Sequence, residues 1–204
     1  MAYVTVQDIK ASLRITVDDD DAIFSDIVSS VTAAIDAYCH RHFEPESDHG
    51  PAASHTHYFT PLLEVDGGNL LDWQTLNLNH DLAELTSITN GDGTSISVND
   101  VVLLPLNVKP ISFIRIKSGI NKTWTYTTSP EGAVAVAGKW SYSLDVPYDI
   151  HRAALVWSEH MYRLRTGSAP TSTDVTISAD GSAFVSSGMP RFVAQLLRPY
   201  IRRS

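Results

Sequence analysis

A single cysteine, Cys39, in a chain of 204 residues excludes an internal disulfide framework and any four-cysteine zinc site. Basic residues are few, 15 Lys and Arg against 23 Asp and Glu, which argues against a sequence-reading DNA-binding domain with its concentrated basic face. Long apolar runs are also missing. The densest, Val101 to Leu104, stops at Pro105, far short of the roughly 18 residues of a membrane span. The opening Met1-Ala2-Tyr3-Val4-Thr5 lacks the basic and apolar regions of a signal peptide. There is no glycine-rich phosphate loop with Lys-Ser/Thr, no Gly-x-Gly-x-x-Gly after a strand, and no Gly-x-Ser-x-Gly elbow. What is present, 43% hydrophobic and 19% charged residues, is the composition of a globular chain. The expectation is a soluble protein made in the cytoplasm, long enough for one sizeable domain or two small ones.

The net charge of -8 hides an uneven spread. Residues 1–100 hold 3 Lys/Arg against 17 Asp/Glu, and residues 101–204 hold 12 against 6. Such polarity suggests one end that repels polyanions and another that could meet an acidic partner; the alternative is that both halves are simply solvated surfaces.

Thr5-Val6-Gln7-Asp8 has the form of a capping box, with Asp8 in the place usual for Glu or Gln, and predicts a short helix to about Arg14. Asp18 to Asp21 then precede a stripe of Ile23, Ile27, Val31, Ile35 and Tyr38, widened by Phe24 and Val28. Carboxylates are favourable at a helix start, where unpaired N–H groups and the dipole present positive charge. A calcium loop is excluded, because the ligands do not alternate and no glycine occupies the turn position. From about His55 to Val146, short β-branched or alternating runs are broken by turns such as Asp66-Gly67-Gly68 and Asn90-Gly91-Asp92-Gly93. These runs include 76–78, 96–98, 111–116, 124–126 and 133–136. Helical spacing returns after Pro147, with Ile150, Ala154, Trp157, Met161 and Leu164 forming a seam. Alternating arms around Asp180-Gly181 predict a hairpin over 175–185, and a short helix should follow Pro190 until Pro199 ends it.

The predicted fold class is α+β. A helical base of two long helices plus short N- and C-terminal helices carries an inserted antiparallel β-rich subdomain, with a β-hairpin before the C-terminal helix. The segments are 1–46 for the first helices, 47–146 for the insert, 147–169 for the long helix, 170–189 for the hairpin and 190–204 for the C-terminal helix and tail.

Two clusters stand out as candidate sites. His40, His42, His49, His55 and His57 fall within 18 residues, and on a strand His55 and His57 share a face. Such imidazoles can bind zinc or copper, with Glu44 or Asp48 completing a shell, although no His-Glu-x-x-His pattern is present. Cys39, on the apolar side of its helix, reads as a small core residue rather than a nucleophile. The second cluster is C-terminal. Arg191, Arg198, Arg202 and Arg203 alternate with Phe192, Leu196, Leu197, Tyr200 and Ile201, the composition of an interface anchor. That segment could pack on its own domain, dock into another chain or touch nucleic acid.

Val4-Thr5-Val6-Gln7-Asp8-Ile9-Lys10-Ala11-Ser12-Leu13-Arg14-Ile15, followed by Asp18 to Ala22, resembles the opening of tailed-phage head–tail connector (adaptor) proteins, a family also found in gene transfer agents. Three later pieces agree in order. They are the β-rich middle, the helix from Val146-Pro147-Tyr148-Asp149-Ile150 to His160-Met161-Tyr162-Arg163, and the ending Leu196-Leu197-Arg198-Pro199-Tyr200. The histidine-rich stretch at 40–57 departs from the family pattern.

The resemblance implies a structural virion protein of the neck, without catalysis, cofactor or metal. It implies a homo-oligomeric ring, commonly twelvefold, that lies under the portal protein and extends the channel for double-stranded DNA. It also implies a docking face for the next neck or tail-completion protein and no membrane partner. Residues 190–204 become the candidate portal anchor, with Arg191, Phe192, Leu196, Leu197, Arg198, Tyr200, Arg202 and Arg203 as its contact residues. The acidic balance would let DNA slide past without sticking. The alternatives are a stopper-type ring protein of the neck or tail and, further off, a small metal-dependent enzyme built on the histidines.

Overall fold

The computed structural model describes residues 2–45, 54–61, 65–66, 69–70, 74–166, 175–177, 183–185 and 188–202. The chain divides into two units: Met1–Arg41 with Val146–Ser204, and the intervening His42–Asp145. Among the described residues four α-helices and an antiparallel six-stranded sheet make the fold α+β, as the sequence predicts.

The first unit is helical. Helix α1 (Val6–Leu13) opens with the predicted capping box. The Asp8 amide donates to Thr5 Oγ1 at 3.1 Å, and the Thr5 amide donates to Asp8 Oδ2 at 2.9 Å. Helix α2 (Asp21–Cys39) buries Phe24, Ile27, Val28, Val31, Ile35 and Cys39, so the predicted stripe ends on Cys39 rather than on half-buried Tyr38. By length and composition α2 could cross a membrane. Its buried stripe, and the charged Asp26 and Asp36 along its length, the first exposed and the second accepting from the Tyr3 hydroxyl, mark it as a core helix instead. Helix α3 (Tyr148–Thr166) packs on α2. Ile150, Ala154 and Trp157 of its predicted seam are buried, whereas Met161 and Leu164 are half-buried because the buried face rotates toward Ser158 and His160. The Phe24 and Tyr162 rings meet at 4.6 Å across the two helices. Helix α4 (Arg191–Leu197) and the 3-10 turn Arg198–Tyr200 complete this unit.

The aspartate run does more than begin a helix. Asp20 is the N-cap residue of α2 but makes no side-chain cap bond. Asp18 and Asp21 instead hold the buried Lys10 ammonium, at 2.5 and 2.8 Å, and Asp20 accepts the Tyr162 hydroxyl at 2.7 Å. The run therefore fastens α1 and α3 to the head of α2. The hydrogen bonds from Asp18 and Asp21 hold Lys10 above its ordinary pKa.

The second unit is built on strands β1 (His55–Phe59), β4 (Thr75–Thr89), β5 (Ser95–Ile96), β6 (Val101–Leu104), β7 (Ile111–Ile116) and β8 (Val134–Trp140). The sheet order is β1-β8-β4-β7-β6, with β5 paired to the end of β4. Two-residue strands β2 (Val65–Asp66) and β3 (Asn69–Leu70) form a separate ladder. Strand β4 runs for 15 residues and organises the rest. Its first half pairs with β7 and its second half with β8, with register shifts between Asn77 and Leu82, Leu82 and Glu84, and Leu85 and Ser87. Such bulges bend a strand. Asn79 takes the left-handed conformation (φ 49°), and the Asn79 amide donates to Asn77 Oδ1 at 3.0 Å.

Both ends of the bent strand meet residues 123–125. Trp124 Nε1 donates to the Gln74 carbonyl at 2.9 Å, while Asn90 Nδ2 donates to the Thr123 carbonyl at 3.0 Å. The predicted strand over 124–126 is therefore a crossing segment, with one parallel bridge between Gly91 and Tyr126. The interior this encloses holds Leu76, Leu82, Ile88, Ile114, Val136 and Trp140 among others.

Strands β9 (Val175–Ile177) and β10 (Ala183–Val185) pair antiparallel, with Val185 opposite Val175. The predicted Asp180-Gly181 turn between them lies outside the described residues.

Candidate interaction surfaces

Helix α3 begins where the sequence places it. The amides of Ile150 and His151 both bond the Pro147 carbonyl at 3.0 Å, and Tyr148 at the start of the helix is 79% exposed. Pro190 opens α4 in the same way, accepting from the Ala194 amide at 3.1 Å. Along α4 the side chains divide by helical phase. Val193 and Leu197 are wholly buried, Leu196 is half-buried, and Arg191, Phe192 and Arg198 are exposed.

The segment is fastened to its own unit at two further points. The half-buried Tyr200 donates its hydroxyl to Asp149 Oδ2 at 3.2 Å, and the Arg202 amide donates to the Cys39 carbonyl at 2.9 Å. Residues 190–202 are thus a packed element of the helical unit. Leu197, one of the residues expected in the anchor, sits wholly buried in the core of its own unit. Tyr200 and Arg202 are half-buried, the first bonded through its hydroxyl and the second through its backbone amide, and Arg203 lies outside the described residues. The open face is Arg191, Phe192 and Arg198. Periodicity could have separated the two faces, since positions 193 and 197 are four apart, but the aromatic–arginine composition drew attention to all of them alike.

The histidines do not converge. His40 ends α2 in the left-handed conformation (φ 54°). The His42 carbonyl accepts from the Tyr142 amide at 2.8 Å, and His49 and Asp48 lie outside the described residues. His57 stacks on Trp140 with ring centroids 4.2 Å apart, and His80, from the bulge of β4, meets His57 edge-on at 5.3 Å. Trp140 Nε1 donates to the His55 carbonyl at 2.8 Å. His57 is therefore part of an aromatic stack that closes one end of the sheet. Among the described residues no group of three or more His, Cys, Asp and Glu side chains could hold a metal ion. Burial pushes the Cys39 thiol up to about 11, the behaviour of a core residue and not of a nucleophile.

Charge sorts differently by unit than by sequence half. Residues 42–145 carry 5 Lys/Arg against 12 Asp/Glu, while residues 1–41 and 146–204 together carry 10 against 11. The -14 of the first hundred residues thus becomes an acidic β-rich unit and a nearly neutral helical one.

Residues 3–61 match the family described as "Phage gp6-like head-tail connector protein". The resemblance to the head–tail connector family is borne out. The match covers α1, α2 and β1, the part that includes the capping box and the aspartate run. A likeness of fold extends over more of the chain. A chain from the "Neck of empty GTA particle computed with C6 symmetry" superposes with a TM-score of 0.54 over 98% of this chain and 89% of that one, at 15% identity. A search of the curated proteins finds no match.

Proposed function

We propose that this protein is a structural component of the virion neck, a head–tail connector that forms an oligomeric ring under the portal. The observation that carries this reading is the connector-family match at residues 3–61, on a chain whose whole fold is similar to a GTA neck chain. The ring extends the DNA channel and docks the next neck or tail protein. It works by shape and charge, without catalysis. The acidic surplus of residues 42–145 supports a channel that duplex DNA slides past, because like charge keeps phosphates from adhering. A helical base rather than an all-β core favours the adaptor over a stopper-type ring.

Portal contact is assigned to the open face of the C-terminal element: Arg191, Phe192 and Arg198, with Leu196, Tyr200 and Arg202 at its margin. Arginines that fork onto carboxylates around an aromatic anchor suit an acidic, partly apolar seat. Removing residues 190–204 would strip Val193 and Leu197 from the core, so truncation confounds anchoring with folding. The test is a pull-down of the full chain with the portal protein encoded in the same genome, comparing wild type with R191E/R198E and F192A. Loss of portal binding by variants with unchanged melting supports the assignment. Portal binding that survives all three substitutions moves the contact elsewhere, and wild type that never binds the portal removes the connector reading.

A further inference from the structure

The turn that joins β4 to β5 contains the one Asn-Gly pair of the sequence, Asn90-Gly91. Such a pair is reactive in a flexible chain, because a glycine without Cβ lets its amide nitrogen reach the asparagine Cγ. Hydroxide takes the Gly91 amide proton, and Gly91 N forms a bond to Asn90 Cγ. The Cγ–Nδ2 bond then breaks. Its nitrogen leaves as ammonia with a proton from water, which restores the hydroxide. Water opens the resulting five-membered imide at either carbonyl and leaves aspartate or isoaspartate at position 90.

Both residues are fixed by the fold. Asn90 is buried, and its side chain is bonded at both ends. Oδ1 accepts the Gly91 and Thr125 amides, each at 3.0 Å, and Nδ2 donates to the Thr123 carbonyl at 3.0 Å. An aspartate in this place has no donor for Thr123. A Cβ on Gly91 would run into the Thr125 carbonyl oxygen and the Ala133 side chain. The crossing of residues 123–125 therefore calls for the reactive pair and at the same time restrains it. The Gly91 N–H points at the oxygen of the group its nitrogen would attack. The Asn90 amide cannot turn its face to that nitrogen without breaking its bonds to Thr123 and Thr125. The main chain is held as well, since the Asn90 amide donates to the Thr94 carbonyl at 2.8 Å and the Gly93 amide to the Asn90 carbonyl at 2.9 Å.

We propose that Asn90-Gly91 is a latent deamidation site, locked by the crossing segment while the fold is closed and releasing that segment once it has reacted. In the product a carboxylate oxygen replaces Nδ2 and faces the Thr123 carbonyl oxygen, so a hydrogen bond becomes a repulsion. Isoaspartate also lengthens the main chain by one methylene beside the bridge from Gly91 to Tyr126. Opening admits the reaction, and the reaction opposes reclosure. The change runs one way, and it does not depend on the connector reading.

The test follows deamidation of the full chain at mildly alkaline pH by peptide mapping, alongside hydrogen exchange at the Gly91 and Thr125 amides. Native Asn90 should react at least roughly twentyfold more slowly than in the same chain unfolded in guanidinium chloride, because reaction passes through a rare opening. Below the unfolding transition, added denaturant should raise the reaction and the Thr125 exchange in the same proportion. Trp124→Ala, which removes the ring bonded to the Gln74 carbonyl, should speed both roughly tenfold; if it does not fold, the wild-type denaturant series decides alone. The deamidated fraction carries one more negative charge and separates by ion exchange. Its Thr125 amide should exchange at least roughly tenfold faster than that of unreacted protein. Native and unfolded chains that deamidate at one rate would overturn the lock. So would reaction and exchange that respond differently to denaturant. A deamidated protein that exchanges like the unreacted one would remove the release.

Discussion

The Tyr162 hydroxyl donates to Asp20 Oδ2 at 2.7 Å, joining the C-terminal half of α3 to the residue that precedes α2 across 142 positions of sequence. That bond, reinforced by burial, raises the tyrosine pKa above its usual value, because the bonded form is the protonated one. A raised folded pKa contributes stability that is fully present below the unfolded value near 10 and is lost as pH rises through the folded value. Y162F should therefore cost about 1 kcal/mol near neutrality. The gap between wild type and Y162F should narrow above roughly pH 10. Denaturant curves for both proteins across pH 7 to 11 check this; a constant gap would sink it.

The two faces of α4 give a second prediction. Leu197→Ala empties a wholly buried site and should destabilise the protein by about 2–4 kcal/mol. Phe192→Ala, on a ring 47% exposed, should change stability by less than about 1 kcal/mol. Urea midpoints at constant m would separate them, and equal losses would show that the faces have been misassigned.

Local chemistry in this chain was legible from sequence, and closure in space was not. Thr5 and Asp8 lie three residues apart and cap each other in the predicted way. The stripe of α2 and the proline at the head of α3 are likewise short-range signals. The crossing of Trp124 over both ends of β4 depends on residues 50 and 33 positions away, and no run of alternation records it. Of β4 only residues 76–78 read as a strand in the sequence, because its bulges break the period of two on which a strand is recognised. The candidate anchor was found by composition, which shows that arginine and aromatic residues are present but not that Leu197 turns inward. Charge counted by sequence half misled for a simpler reason: residues 146–204 fold back with 1–41.

Gly138 illustrates a close approach that only the fold reveals. A Cβ there would lie 2.4 Å from the Glu84 carbonyl oxygen and 2.6 Å from Leu82 Cδ1, where β8 crosses the bulged part of β4. Gly138→Ala must push the strands apart and should cost about 1–3 kcal/mol. Gly93, at φ 82° with open space around it, tests backbone strain without a clash, and Gly93→Ala should cost about 1 kcal/mol. Thermal melts of the two variants give the comparison. A Gly93 variant less stable than the Gly138 variant would contradict the packing argument.

Cys39 reports on the helical unit from within. Its side chain is wholly buried, its thiol is pushed up to about 11 by burial, and its carbonyl accepts the Arg202 amide. Thiolate is the reactive form, so the shift alone lowers its fraction at pH 8 by about a hundredfold, and exclusion of the reagent adds to that. A chromogenic disulfide should therefore label Cys39 only as the unit opens. Leu197→Ala lowers the free energy of opening and should speed labelling in proportion to its equilibrium loss, about tenfold for each 1.4 kcal/mol when reclosing is faster than reaction. Phe192→Ala should leave the rate near that of wild type. Rapid labelling of the native wild type would mean that Cys39 is open to solvent and that the C-terminal element does not cover the end of α2.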